Sequence, residues 1–241
     1  MLLRDPCHLE VLIPALNEAK RLPRTLLRTI EYLEKQPYSS SVVVIDNGSV
    51  DQTSDITAMA SWSERVPVFL TGCARLGKGA AVRRGMITSR ADFIGYMDAD
   101  LATPIETLDV VMDLLARGEA AAVVGSRRIS GASLARRQPV HRAVGGMVFH
   151  ALTQRVLGDL TDTQCGFKFF AGDLARTVAR QLTIDGFAFD VEMLRAIAER
   201  GVDIREVPVT WTDANGSTLN SLRDGTRAAV DLYRLSRRRS A

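Results

Sequence analysis

Two carboxylates set two residues apart, Asp98 and Asp100, close the apolar run FIGYM and are the first sign of chemistry in the chain. In extended backbone such an i, i+2 pair shares a face. Like charges that close raise each other's pKa unless a cation lies nearby. Hard oxygen donors suit Mg²⁺ or Mn²⁺, and a metal holding a diphosphate is the natural occupant. The plainer alternative is an exposed turn before a helix. Gly77-Lys78-Gly79 at an expected helix start offers free backbone N–H groups, a positive dipole end and an ammonium, which together make an anion site. Gly72 to Lys78 also fits G-x-x-x-x-G-K, but Gly79 stands where that motif needs Ser or Thr for Mg²⁺. A nucleoside triphosphatase is therefore disfavoured, and no G-x-G-x-x-G follows the first apolar run to suggest a dinucleotide oxidoreductase.

Asp46 ends another apolar run, before Asn47-Gly48-Ser49. It can accept a hydrogen bond from a uracil imide or a ribose, or merely initiate a turn. Arg127, after a third such run, can pair bidentately with a phosphate. His8, His141 and His150 show no ligand spacing and read as structural or exposed.

These residues need elements to place them. Glu10–Pro14 reads as a strand, and Leu22, Leu26, Ile30 and Leu33 recur at helical spacing over 22–36. Strands are expected at 41–46, 66–70, 92–97 and 120–125, with helices at 51–60 and 78–89 and another beginning at Thr103-Pro104. Apolar strands alternating with helices imply an α/β domain with a mainly parallel sheet covered on both faces. Ligands of such sheets bind beyond the carboxyl ends of the strands, and the polar signals sit at five of those ends. Beyond Ile129 the alternation weakens: helices are expected near 140–156, 173–181, 190–200 and 224–238, with strands at the GFKFF run and at 204–209. No linker intervenes, so a single domain is expected, 1–128 binding the nucleotide and 129–241 completing the site on the acceptor side with a basic final helix.

The composition fits. The chain has 241 residues, 31 Lys and Arg against 28 Asp and Glu, and 46% hydrophobic residues; a chain this long buries about 70–75% of its unfolded surface. Cys7, Cys73 and Cys165 are odd in number and widely spaced, which argues against a disulfide framework and a structural zinc site. No leader and no stretch of ~18 apolar residues is visible, so a cytoplasmic setting is expected. The arginines at 234 and 237–239 read as a solvated helix end or as contact with an anionic membrane at its inner face. Few aromatic residues interleave with them, against nucleic-acid binding.

Eight motifs, VLIPALNEAKRLPRTL, VVVIDNGSVDQT, ARLGKGAAVRRGM, YMDADLATP, VVGSRR, DTQCGFKFF, FAFDVEML and EVPVTW, occur in the order seen in family 2 inverting glycosyltransferases. The chain resembles that family from about Glu10 to Tyr233, most of all the members acting on dolichyl or other polyprenyl phosphates. The resemblance implies a Rossmann-like GT-A fold, a nucleotide-sugar donor, Mg²⁺ or Mn²⁺, and inversion at the anomeric carbon. It carries base and ribose contacts to Pro14, Asn17, Glu18 and Asp46, with Leu16 in the same segment. It carries a phosphate-side role to Lys78, donor and metal roles to Asp98 and Asp100 around Ala99, and it matches Arg127 to an arginine at the end of the fifth strand. Asn47 stands where the family has a second aspartate, and Gly216-Ser217-Thr218 lacks a lysine frequent in members with lipid acceptors.

Such a transfer needs charge neutralised on the departing nucleoside diphosphate. A sugar hydroxyl acceptor also needs a base, for which Asp162 is the first candidate and Asp190 and Glu192 the second; a phosphate acceptor is already ionised. Arg142, Gln164 and Ser217 are candidate acceptor contacts, with Arg205 and Arg223 as further cations. The expected reaction moves glucose or N-acetylglucosamine from a UDP-sugar, before mannose from a GDP-sugar, to a polyprenyl phosphate. Alternatives are a soluble small-molecule or nucleoside acceptor, and a nucleotide-sugar-binding module without turnover.

Overall fold

The computed structural model describes residues 8–60, 63, 65–134, 153, 157, 160–212 and 221–237. The expected helix at 140–156 lies almost wholly outside these residues, as do Arg142, His141, His150 and Ser217.

The strands β1 (Leu9–Ala15), β2 (Ser40–Asp46), β3 (Val68–Gly72), β4 (Phe93–Met97), β5 (Ala122–Ser126), β7 (Phe167–Ala171) and β8 (Ile204–Pro208) form one sheet in the order β3-β2-β1-β4-β7-β5-β8. All pairs are parallel except those of β7, which runs antiparallel between β4 and β5. The second half of the sequence is thus threaded through the sheet of the first half rather than added beside it. A two-residue pair, β6 (Ser133–Leu134) with β9 (Thr210–Trp211), lies apart.

The helices are α1 (Leu22–Leu33), α2 (Thr53–Met59), α3 (Lys78–Thr88), α4 (Leu108–Ala116), α5 (Gly172–Ala179), α6 (Phe189–Ala198) and α7 (Ser221–Arg237). The expected helix at Thr103-Pro104 begins later, as a 3₁₀ turn at Ile105–Thr107 that runs into α4. Alternation along the strands sorts the core into two layers. Leu9, Val11 and Ile13 face α1 and α4, whereas Leu12, Val43 and Ile45 face α3, α5 and α6. On β7 the same period of two sends Phe167 and Phe169 to the first layer, so Lys168 between them, fully buried, must point to the second.

Because β1 to β5 share one direction, Asp46, the last residue of β2, and Leu16, Cys73, Asp98 and Arg127, each just past a strand end, all lie on one rim.

Candidate active site

Beyond β4 the backbone turns, and Asp98 and Asp100 lie in that turn rather than in the extended chain assumed from their spacing. Each takes a different cation. Lys78 Nζ lies 2.6 Å from Asp98 Oδ1, and Arg21 Nη1 lies 3.8 Å from Asp100 Oδ2. Three contacts hold the turn: Thr25 Oγ1 of α1 donates to the Ala99 carbonyl at 2.7 Å, Ala102 N to Asp100 Oδ1 at 3.0 Å, and Asp98 N to the Gly166 carbonyl at 3.0 Å. The Asp98 carboxylate rests on Gly166, where a Cβ would fall 1.9 Å from Oδ2, so only glycine leaves it room.

Burial, then the neighbouring Asp98, raises the Asp100 carboxyl above its ordinary pKa. Burial works against the Lys78 ammonium, yet Asp98, then Asp190, hold its pKa above the usual lysine value. Burial also raises Glu18, which Arg21 only partly offsets through a bidentate contact with Nε at 2.6 Å. Carboxylates outnumber cations here, a balance that an incoming divalent ion would relieve.

The expected backbone anion site at the start of α3 is not free. Gly79 N and Ala80 N both donate to the Asp185 carbonyl, at 2.8 and 3.2 Å, and Gly77 N donates to Asn47 Oδ1 at 2.6 Å. The glycines serve packing instead: Gly77 has φ +124°, and a Cβ on it would meet the Asp185 carbonyl oxygen at 2.2 Å, while one on Gly79 would meet the Ile184 carbonyl oxygen at 2.5 Å. That contact also removes the phosphate-loop alternative, since position 79 has no space for a Ser or Thr. What the loop presents to the rim is the Lys78 ammonium.

Asp46 does initiate a turn, accepting from Ser49 N at 2.9 Å and Ser54 Oγ at 2.7 Å. Asn17, in left-handed backbone at φ 56°, spans the same loop: its N–H donates to Ser49 Oγ and its Oδ1 accepts from Val50 N, each at 2.9 Å. Pro14 is half-buried at the end of β1, and Leu16 is exposed beside that loop. Asn47 has a task that a carboxylate cannot perform, because Nδ2 donates to the Arg75 carbonyl at 2.7 Å while Oδ1 accepts from Gly77.

Arg127 and Asp162, expected as separate agents, are each other's partners. Arg127 Nε and Nη2 reach Asp162 Oδ2 and Oδ1 at 2.7 and 2.9 Å, Arg127 N adds a third bond at 3.0 Å, and Gln164 N donates to Oδ1 at 3.2 Å. The guanidinium lies over Trp211, 5.5 Å from the ring centroid. Burial would raise the Asp162 carboxyl, but these bonds hold it down to about 2. A carboxylate so saturated is a poor proton acceptor. Asp190, of α6, is likewise engaged: it pairs with the fully buried Lys168 at 2.6 Å and accepts from Tyr96 Oη. Glu192 receives Thr183 N, Thr183 Oγ1 and Ile184 N and thereby braces the 183–184 loop. Arg205 is exposed on the edge strand β8, and Arg223 belongs to the first turn of α7.

Several residues at the site escaped the sequence reading: Arg21, Gly166, Tyr96, Lys168 and Asp185. Lys168 had a visible signal, a lysine inside the apolar run FKFF, since a buried ammonium requires a partner. Arg21 and Asp185 had none, because their contacts depend on loops meeting across the rim.

No group of three or more His, Cys, Asp or Glu that could hold a metal occurs among the described residues. The donor set still suits a divalent ion shared with a diphosphate, since Mg²⁺ sites of that kind use one or two carboxylates plus substrate phosphates. Asp100 fits best, with Oδ2 carrying only the long contact to Arg21. No described helix is long and apolar enough to cross a membrane.

Residues 10–172 match the family described as Glycosyl transferase family 2. The chain is 32% identical over 245 residues to a dolichyl-phosphate beta-glucosyltransferase of Dictyostelium discoideum, covering 96% of this chain and 74% of that one. It is 34% identical over 227 residues to the Homo sapiens protein of the same name, covering 88% and 69%. Among solved structures it is similar to glucosyl-3-phosphoglycerate synthase of Mycobacterium tuberculosis in complex with Mn²⁺, UDP and phosphoglyceric acid. The TM-score is 0.73 at 18% identity, over 98% of this chain and 80% of that one. That likeness assigns the GT-A fold.

Proposed function

The chain belongs to glycosyl transferase family 2, and from that premise we propose that it moves glucose, with inversion, from UDP-glucose to a polyprenyl phosphate. The names of its relatives support this acceptor and sugar. UDP-N-acetylglucosamine is the next donor to consider, and GDP-mannose the last.

The observation that carries the acceptor is that all three candidate bases are engaged, Glu192 by Thr183 and Ile184. Asp162 is saturated by Arg127 and Asp190 by Lys168 and Tyr96. An acceptor that must lose a proton has no free carboxylate among these, whereas a phosphate monoester arrives ionised and needs none.

Asp100, with Asp98 beside it, would hold Mg²⁺ or Mn²⁺ together with the donor diphosphate, and the ion would supply charge neutralisation at the departing UDP. The chain's own residues do the rest. Asp98 holds Lys78 at the rim, placing a second positive charge where the leaving group gathers negative charge. Arg21 positions Glu18 and steadies Asp100, and the Asp46–Asn17 loop bounds the end where a nucleoside would lie. A polyprenyl phosphate resides in a bilayer, so the work is done at a membrane surface, by this reading on the cytoplasmic side.

The test is release of UDP or GDP across a panel of nucleotide sugars, with and without polyprenyl phosphate. UDP release from UDP-glucose should require the lipid and a divalent ion, and Asp100→Asn should lower it by roughly 10²–10³-fold. Lipid-independent transfer to soluble sugars or nucleosides would instead establish a small-molecule acceptor. Donor binding without turnover would leave a binding module.

A further inference from the structure

The helix α7 buries Ala228, Leu232 and Leu235 against Ala188 and Val191 of α6. A surface helix with one apolar stripe inward should be polar outward. This one is not. Thr226, Val230, Tyr233 and Arg237, at i, i+4, i+7 and i+11, form the face opposite the buried stripe; Val230 is 48% and Tyr233 58% exposed. Arg227 and Arg234, both exposed, flank them, and the Arg237 guanidinium sits 5.4 Å from the centre of the Tyr233 ring. Asp231, half-buried on the Gly186 side, interacts with Arg234 and Arg227, so three exposed arginines face one carboxylate. The outward face therefore carries cations around two apolar side chains, and two more arginines, Arg238 and Arg239, follow in the sequence.

The helix is also close to the chemistry. Ile184 packs against its buried stripe, and the adjacent Asp185 carbonyl takes the Gly79 and Ala80 N–H groups at the start of the Lys78 helix, α3. One loop separates α7 from the loop that presents Lys78.

The geometry points to the outward face of α7 as a docking surface for an anionic phospholipid bilayer, with Arg227, Arg234 and Arg237 meeting headgroups and Val230 and Tyr233 entering the interface. Charge complementarity selects an anionic partner, and the apolar residues among the arginines select a bilayer over nucleic acid, which would leave Val230 in water. The inference deepens the polyprenyl-phosphate reading and rests on it for its purpose, since docking there keeps the Lys78 rim beside the surface where a lipid phosphate emerges.

The test uses the purified full chain and vesicles of phosphatidylcholine, with and without about one-third phosphatidylglycerol. The protein should float with the anionic vesicles at low salt and be released by high salt. R227Q/R234Q/R237Q should lose roughly 100-fold in affinity, and V230S/Y233S about tenfold, both retaining the wild-type melting temperature. Failure of the wild type to float, or variants that float equally well, overturns the surface. So does single-stranded RNA binding that is lost in R227Q/R234Q/R237Q while flotation persists. UDP release with detergent-dispersed polyprenyl phosphate should be unchanged in both variants. If the protein floats as expected but never uses that acceptor, the acceptor reading fails while the surface stands.

Discussion

The Asp162 carboxylate meets three donors of Arg127 and is almost wholly buried, so its charge is bound into the fold. Its carboxyl is held at about 2, below the ordinary 3.8. A depressed folded pKa contributes stability that is complete above about pH 4 and is lost as the pH falls towards 2, worth about 2 kcal/mol. Asp162→Asn should cost about 2–4 kcal/mol in denaturant unfolding near neutral pH, because the partly buried Arg127 loses its counter-charge. The variant should also lack one proton's worth of the pH dependence between about 4 and 2. Asn47 makes a second residue-scale case. Replacing it with Asp removes the donor to the Arg75 carbonyl and sets a negative charge against that oxygen. The expected result is a loss of about 1–3 kcal/mol and a higher KM for the nucleotide sugar, since the Lys78 loop hangs on this side chain.

At the scale of elements, α3 is held by its first turn against the loop before α6. Its leading N–H groups end on the Asp185 carbonyl, and Arg83 of α3 returns to the Asp185 carboxylate at 2.8 Å and the Leu182 carbonyl at 2.9 Å. Gly79→Ala would drive a methyl group to 2.5 Å from both the Ile184 carbonyl oxygen and Phe189 Cβ. We expect a loss of about 1–3 kcal/mol by thermal or chemical unfolding. A larger fractional fall in kcat/KM should accompany it, because the shift moves Lys78. The strand β7 bears on the same site from below. It presents Lys168 to Asp190 and, by the turn preceding it, Gly166 to Asp98, so one antiparallel strand underlies both the buried ion pair and the acidic rim.

For the whole molecule, the rim is built before any ligand arrives, from loops that already pair with one another. A preformed site should convert ligand binding directly into stability. With UDP and Mn²⁺ together at about 100 times their dissociation constant, the gain is about 2.7 kcal/mol, or a rise of roughly 5–10 °C in Tm for a chain of this size. Differential scanning fluorimetry should show that rise with wild type, and Asp100→Asn should lose the part that depends on manganese.

What the sequence determined by itself is the set of strands and their common rim. Periods of two and of 3.6 in apolar residues are local, and they located β1 to β5 and the Asp98, Asp46 and Lys78 positions that end or follow strands. It also showed the family likeness, carried by motifs in order. Only the tertiary structure decided partnerships. Arg127 and Asp162 stand thirty-five positions apart, Gly79 and the Asp185 carbonyl that takes its N–H come from different halves of the chain, and β7 enters the sheet against the chain order. None of these pairings leaves a local periodic trace, because a charge is satisfied by whichever opposite charge or backbone group folding brings within about 3 Å. Groups that read as free agents along the chain, the three candidate bases and the glycine-rich helix start, are engaged by partners from other segments for that reason.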